Sequence, residues 1–68
     1  MDLKIGSSIK RLRLERDMTQ EELAQKIGVT FQAISKWETN TTTPDIALLP
    51  KLSILFGVSI DELFAVND

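Results

Sequence analysis

The sequence predicts an all-α domain built of short helices. Apolar residues recur at intervals of three and four along most of the chain, as they do on one face of an amphipathic helix. Two segments, TQEE and SIDE, carry the Ser/Thr-x-x-Glu signature of a capping box, which marks the start of a helix. Two of the periodic segments are followed directly by glycine, which can end a helix in the left-handed conformation. These patterns predict helices joined by short turns.

Composition and charge limit the functions open to this chain. Its 68 residues suffice for one small domain, and we expect a single domain over residues 1–68. The chain has no cysteine and no histidine, which removes thiolate chemistry, the commonest general base and the commonest metal ligands. We therefore expect no enzymatic activity, no metal, no cofactor and no small-molecule ligand. No apolar run approaches the ~20 residues of a membrane span, and no signal-peptide core is present, so we expect a cytoplasmic protein.

The first helix is predicted over residues 1–17. Because Gly6 has low helix propensity, we expect this helix to become firm only after Ser7 or Ser8. Its apolar stripe consists of Ile5, Ile9 and Leu12.

A basic cluster follows near the end of this helix, formed by Lys10, Arg11, Arg13 and Arg16. For three of these residues, Lys10, Arg11 and Arg16, the favoured interpretation is a solvated face placed favourably against the helix dipole.

Residues 20–39 predict two short helices joined by a tight turn. Thr19 and Glu22 form the capping box of the first helix, Gly28 ends it, and Thr30 can cap the second. Such a helix–turn–helix needs apolar residues at defined positions, a small residue where the helices cross, and glycine in the turn. Those structural positions are Leu23, Ala24, Ile27, Gly28, Val29, Ile34 and Trp37.

The second helix of this pair, residues 31–38, has one apolar and one polar side. Phe31 lies at the margin between the two sides. The apolar side consists of Ala33, Ile34 and Trp37, and the polar side of Gln32, Ser35 and Lys36.

The remaining chain predicts a loop over residues 39–43 and two further helices. Pro44 and Asp45 open the fourth helix, whose apolar residues begin at Ile46. Pro50 either kinks that helix or marks the point where an initial turn becomes regular helix. The fourth helix uses Ile46, Leu48, Leu49, Leu52, Leu55 and Phe56 as its apolar residues.

The fifth helix follows Gly57 and the staple residue Val58. Ser59 and Glu62 form its capping box. It is completed by Ile60, Leu63 and Phe64, and residues 65–68 are expected to fray.

Four segments, TQEELAQKIGVT, QAISKWE, TPD and LFGVSIDELF, occur in the order typical of a known family. Over residues 5–64 the chain resembles the phage-repressor type of helix–turn–helix protein, the XRE family, which includes Cro-like and lambda-repressor-like proteins. The resemblance implies a lambda-repressor-like domain of five helices whose third helix enters the DNA major groove. It implies a sequence-specific, double-stranded DNA-binding transcriptional regulator, and we expect a repressor because no sensing or activating segment is evident.

The resemblance also implies which side chains of residues 30–36 contact bases. Gln32 can offer a bidentate amide to adenine, and Lys36 can donate to guanine or to phosphate. Ser35 can contact either, and Phe31 or Thr30 can touch a thymine methyl group.

Four residues are expected to contact phosphate or to stand near it. Gln20, at the start of the second helix, is one: it could be an ordinary exposed polar residue, but in the family a glutamine at this position bonds a phosphate, and the helix N-terminus itself attracts the anion. Arg13 is a second: in the family an arginine at this place pairs with the glutamate that ends the reading helix, here Glu38, and lies near phosphate. Asn40 and Thr41 complete the set, although Asn40 stands where the family usually has glycine and Thr41 where it usually has a basic residue.

The charge distribution leaves a second interpretation open. The net charge is −2, with seven basic and six acidic residues in 1–38 but one basic and four acidic in 39–68. An acidic domain without the usual loop lysine could instead be a protein-interaction module, such as an antitoxin-like adaptor.

We also expect a homodimer on DNA, with Val58, Ile60 and Phe64 as its contact residues.

Overall fold

The computed structural model describes residues 5–64, and these form five α-helices and no strand. The predicted all-α fold class is therefore confirmed, while the prediction that residues 65–68 fray lies outside the described residues. No helix in the described part of the chain is long and apolar enough to cross a membrane. The helices are α1 (Ile5–Glu15), α2 (Gln20–Ile27), α3 (Phe31–Glu38), α4 (Leu49–Phe56) and α5 (Ile60–Leu63), with a 3₁₀ turn (Ile46–Leu48) before α4.

One apolar core is shared by all five helices. Each helix contributes a side chain that is fully removed from solvent, worth ~1.5–3 kcal/mol of hydrophobic stabilisation apiece. Because so short a chain has room for only one such cluster, the position of every helix depends on it. The five central side chains are Ile9, Leu23, Ile34, Leu52 and Leu63.

The start of α1 differs from the prediction. The helix is already formed at Ile5, and both Ile5 and Gly6 are buried. A Cβ at Gly6 would lie 1.8 Å from the backbone oxygen of Trp37 and 2.8 Å from Oδ1 of Asn40. Gly6 therefore lets α1 approach the end of α3 closely, and this packing offsets the low helix propensity of glycine. The expectation of a firm helix only after Ser7 or Ser8 was wrong.

The end of α1 is also earlier than predicted, at Glu15 rather than residue 17. Asp17 has φ 53°, a left-handed conformation that aspartate tolerates better than most residues. The N–H groups of Arg16 and Met18 both donate to the carbonyl of Arg13, each at 3.1 Å. This reversal directs the chain into α2.

The predicted helix–turn–helix is present as α2 and α3. Both bonds of the Thr19–Glu22 capping box form, and Gly28 follows α2 at φ 85°. The N–H groups of Gly28 and Val29 both donate to the carbonyl of Ala24, at 2.8 and 3.0 Å. Six of the seven structural positions are confirmed by burial or by partial burial against the core: Leu23, Ala24, Ile27, Val29, Ile34 and Trp37. Gly28 is confirmed by its left-handed backbone.

The segment before α4 settles the two alternatives for Pro50. A 3₁₀ turn forms first, with Asp45 accepting the N–H of Ala47 at 3.1 Å, and Pro50 then lies in the first turn of a regular helix. Pro50 thus marks a transition and introduces no kink within α4. Ile46 was expected to join the core but is 79% exposed, because the 3₁₀ turn directs it away from the domain.

Candidate nucleic-acid interface

The outer face of α3 presents polar side chains to solvent. Burial of Ile34 and Trp37 fixes the rotation of the helix about its axis, so Gln32 and Lys36 project on the opposite side and are exposed. Phe31 joins them at the start of the helix with 46% of its surface exposed. An amide, an ammonium group and an aromatic ring therefore share one open surface. The amide offers both a donor and an acceptor.

Two of the predicted base-contact residues are less available than these three. Thr30 is exposed, but its hydroxyl accepts the N–H of Ala33 at 3.4 Å as the N-cap of α3. Ser35 is half-buried. Of the predicted base-contact residues on α3, Gln32, Lys36 and Phe31 are thus exposed and Ser35 is half-buried.

The predicted pair between Arg13 and Glu38 is present and largely buried. Nε and Nη2 of Arg13 donate to the two carboxylate oxygens of Glu38, at 2.7 and 3.0 Å. The side chains are only 9% and 4% exposed. Nη1 of Arg13 also donates to the carbonyl of Met18 at 2.8 Å. Bidentate geometry of this kind fixes orientation as well as distance, so α1 is held at a defined angle to the end of α3.

The electrostatics of the pair favour both charges. Burial by itself would raise the pKa of Glu38, but hydrogen bonds from Arg13 and Gln20, together with the charges of Arg13 and Lys10, hold that pKa below its ordinary value. The hydrogen bond to Glu38 raises the pKa of Arg13. The carboxylate therefore stays ionised at neutral pH although it is buried.

Gln20 extends this arrangement to α2. Its Nε2 donates to Glu38 at 3.0 Å, so a single carboxylate connects α1, α2 and α3. A carboxylate can only accept, which fixes the amide nitrogen toward Glu38. The second N–H of that nitrogen remains available to an acceptor at the N-terminus of α2. Contact between Gln20 and phosphate stays a prediction, as does that of Arg13, whose main contact is Glu38.

The loop after α3 is more self-contained than the sequence suggested. Asn40 adopts φ 60°, as expected for a residue in place of glycine. However, the N–H of Asn40 donates to Trp37, and those of Thr41 and Thr42 donate to the carbonyl of Lys36. These backbone groups are therefore already used within the chain, because the loop continues the hydrogen bonding of the helix end. The Asn40 and Thr41 side chains remain exposed.

Arg16 has a structural role that its local sequence does not reveal. Its guanidinium lies 5.3 Å from the ring centroid of Phe56 and donates to the carbonyls of Leu12 and Phe56. Arg16 is exposed, as expected, and its bond to Leu12 lies at the end of α1, but it also joins this end of α1 to the end of α4. Arg11 does form an exposed pair with Glu15 at 3.3 Å, which contributes little to stability.

Comparison with known proteins agrees with this geometry. A family described as helix-turn-helix matches residues 9–63. The cryptic phage CTXphi transcriptional repressor RstR of Vibrio cholerae is 42% identical over 63 residues, which are 93% of this chain and 57% of RstR. The HTH-type transcriptional activator BcrR of Enterococcus faecalis is 36% identical over 63 residues, 93% of this chain and 31% of BcrR. This chain therefore spans only part of the length of either curated relative.

A solved structure shares the fold over almost the whole chain. The P22 c2 repressor protein, in complex with synthetic operator 9T, matches with a TM-score of 0.85 at 31% identity. The match covers 98% of this chain and 100% of that one. The lambda-repressor-like architecture expected from the sequence is thereby confirmed. This chain belongs to the helix-turn-helix family of the phage-repressor (XRE) type, which includes DNA-binding transcription regulators.

Proposed function

We propose that this chain recognises a specific double-stranded DNA operator by inserting α3 into the major groove. The observation that carries the proposal is the open face of α3, where Gln32, Lys36 and Phe31 project from a helix whose other side is locked in the core. The Arg13–Glu38 pair fixes the far end of that helix. Rigid presentation matters because readout of base edges depends on placing donors and acceptors accurately.

The proposed contacts divide into two classes. Gln32 reads adenine through its amide, Lys36 donates to guanine or phosphate, and Phe31 approaches a thymine methyl group. Ser35, half-buried on α3, and Thr30, its N-cap residue, complete this class. In the second class, Gln20 positions the backbone from the start of α2, and Asn40 and Thr41 contribute side chains from the loop.

The first experiment selects bound duplexes from a random pool and determines the preferred operator. Gln32→Ala is then measured against that operator and against single-base variants, with Gln25→Ala, an exposed amide on α2, as the matched control. Loss of one bidentate contact should reduce discrimination at one base pair by ~1–3 kcal/mol. An equal loss of affinity for every sequence would contradict the assignment of Gln32. Failure to enrich any sequence would contradict sequence-specific binding itself.

We further propose that two copies bind a palindromic operator, with half-sites about 34 Å apart. Of the residues expected at the dimer contact, Val58 and Phe64 pack partly against the domain's own core, whereas Ile60 is 40% exposed. Sedimentation of the protein with a duplex carrying one or two half-sites tests the stoichiometry. A single copy on the two-site duplex at saturation would exclude the dimer.

The proposed biological outcome is repression in the cytoplasm by exclusion of polymerase from the operator. RstR is named as a repressor and BcrR as an activator, so the sign of regulation needs its own test. A reporter gene placed behind the selected operator measures it. Expression that rises with the protein would overturn repression without affecting the DNA-binding proposal.

A further inference from the structure

The proposed interface has a shortage of positive charge. The chain is acidic overall, and the loop over residues 39–43 contains no lysine or arginine. Its backbone N–H groups at residues 40–42 are already used within the chain. A DNA-binding surface normally offers cations to the phosphates, and these dominate its affinity. Apart from Lys36 on α3, a cation for the phosphates has to be sought elsewhere in the domain.

The arginines of the described residues are engaged in other contacts. Arg11 pairs with Glu15, Arg13 is buried against Glu38, and Arg16 lies over an aromatic ring. Among residues 5–64, no carboxylate lies within ion-pair distance of a lysine. The free cations of this part of the chain are therefore Lys10, Lys26, Lys36 and Lys51.

Lys10 is placed beside the proposed interface. Gly6, Lys10 and Arg13 follow one another at spacings of four and three, so they share a face of α1. Gly6 contacts the backbone at the end of α3 and Asn40 of the loop, and Arg13 holds Glu38. Lys10 lies between these two contacts.

A shallow surface groove also places Lys10 beside Glu38 at the end of α3. It is lined by residues of α1 and by Glu38 at the end of α3; the α1 residues are Ser7, Lys10, Arg11, Leu14 and Glu15. Lys10 is exposed in it. Its charge also contributes to the low pKa of Glu38, which agrees with an ammonium group near the end of α3. Lys26 and Lys51 lie on α2 and α4, away from this groove.

We propose that Lys10 contacts a DNA phosphate and supplies the cation that the loop lacks. This inference rests on the proposed function, because it concerns the same interface. The chemistry is that of an exposed ammonium group, a flexible point charge with three donors, meeting a phosphate oxygen. Such a contact strengthens binding to any sequence and carries no base specificity of its own.

The test measures the salt dependence of binding to the selected operator and to an unrelated duplex of the same length. Removing one phosphate contact reduces the slope of log K against log salt by ~0.9. Lys10→Gln should therefore weaken binding about eightfold at 0.1 M salt, equally for both duplexes, and the loss should shrink ~3.5-fold between 0.05 and 0.2 M salt. Lys10→Arg should retain most of the affinity and the original slope.

Lys26→Gln and Lys51→Gln are the matched controls, because each removes one charge from another exposed helix face. They should change affinity less than twofold and leave the slope unchanged. Urea unfolding of each variant verifies that the fold is intact. A Lys10→Gln slope equal to that of the wild type overturns the proposal even if affinity falls, since the residue would then act through the fold. A wild-type protein that binds no duplex would instead refute the proposed function, and the role of Lys10 with it.

Discussion

Truncation of Arg13 is the most direct test of how the domain is held together. Arg13→Ala removes both hydrogen bonds from Arg13 to Glu38 and leaves the Glu38 side chain, which is only 4% exposed, with the single hydrogen bond from Gln20. Breaking a buried ion pair from one side costs ~3–5 kcal/mol, because the remaining charge has lost its partner but not regained water.

The size of this loss can be compared with the whole stability of the domain. For 68 residues, typical stabilities of 0.05–0.15 kcal/mol per residue predict roughly 3–10 kcal/mol in total. The Arg13→Ala variant should therefore lose a large share of its stability and unfold at least ~12 °C below the wild type. The double variant Arg13→Met, Glu38→Leu should recover most of the loss, because it leaves no buried charge.

Urea unfolding followed by fluorescence is the appropriate assay. Trp37 is the single tryptophan and is 4% exposed at the contact of α3 with α1, so its emission reports the structure that the ion pair maintains. A loss below ~1 kcal/mol for Arg13→Ala would match an exposed pair and refute the argument. A double variant as unstable as the single one would show that a stranded charge is not the cause.

Two further predictions concern the same framework. Gly28→Ala should cost ~1–2 kcal/mol, because Gly28 has φ 85° but open space around it. Gly6→Ala should cost more, because its Cβ would lie 1.8 Å from the backbone oxygen of Trp37. Equal urea midpoints for the two variants would contradict the close approach of α1 and α3. The pH dependence follows from the lowered pKa of Glu38: its contribution to stability is complete above the ordinary carboxyl pKa of about 4.3 and is lost as the pH falls through the lower folded value. Unfolding free energy measured from pH 7 to pH 2 should thus decline in acid, with a smaller decline in Glu38→Gln, and identical profiles would contradict the assignment.

The local features of the fold were readable from the chain alone. A threonine followed three residues later by glutamate specifies a helix start through bonds between near neighbours, and both bonds of the Thr19–Glu22 box are present. Gly28 is similar, since its left-handed backbone follows from its own lack of a side chain. The open face of α3 follows from helical periodicity once the apolar side is known to be buried. The pair of Arg13 and Glu38 required the family resemblance, because 25 residues separate its partners.

What the sequence could not specify depends on contacts between distant parts of the chain. Gly6 appears as a weak helix residue until the end of α3 is seen to lie against it, and Arg16 appears solvated until Phe56, 40 residues later, meets its guanidinium. The position of Lys10 beside the end of α3 has the same origin. The sequence by itself determined where most helices begin and end and which faces are apolar, because those properties depend on neighbours within a turn or two. Only the tertiary structure decided which cations are consumed in holding the helices together and which remain for a partner, because burial and pairing exist only after the helices have packed.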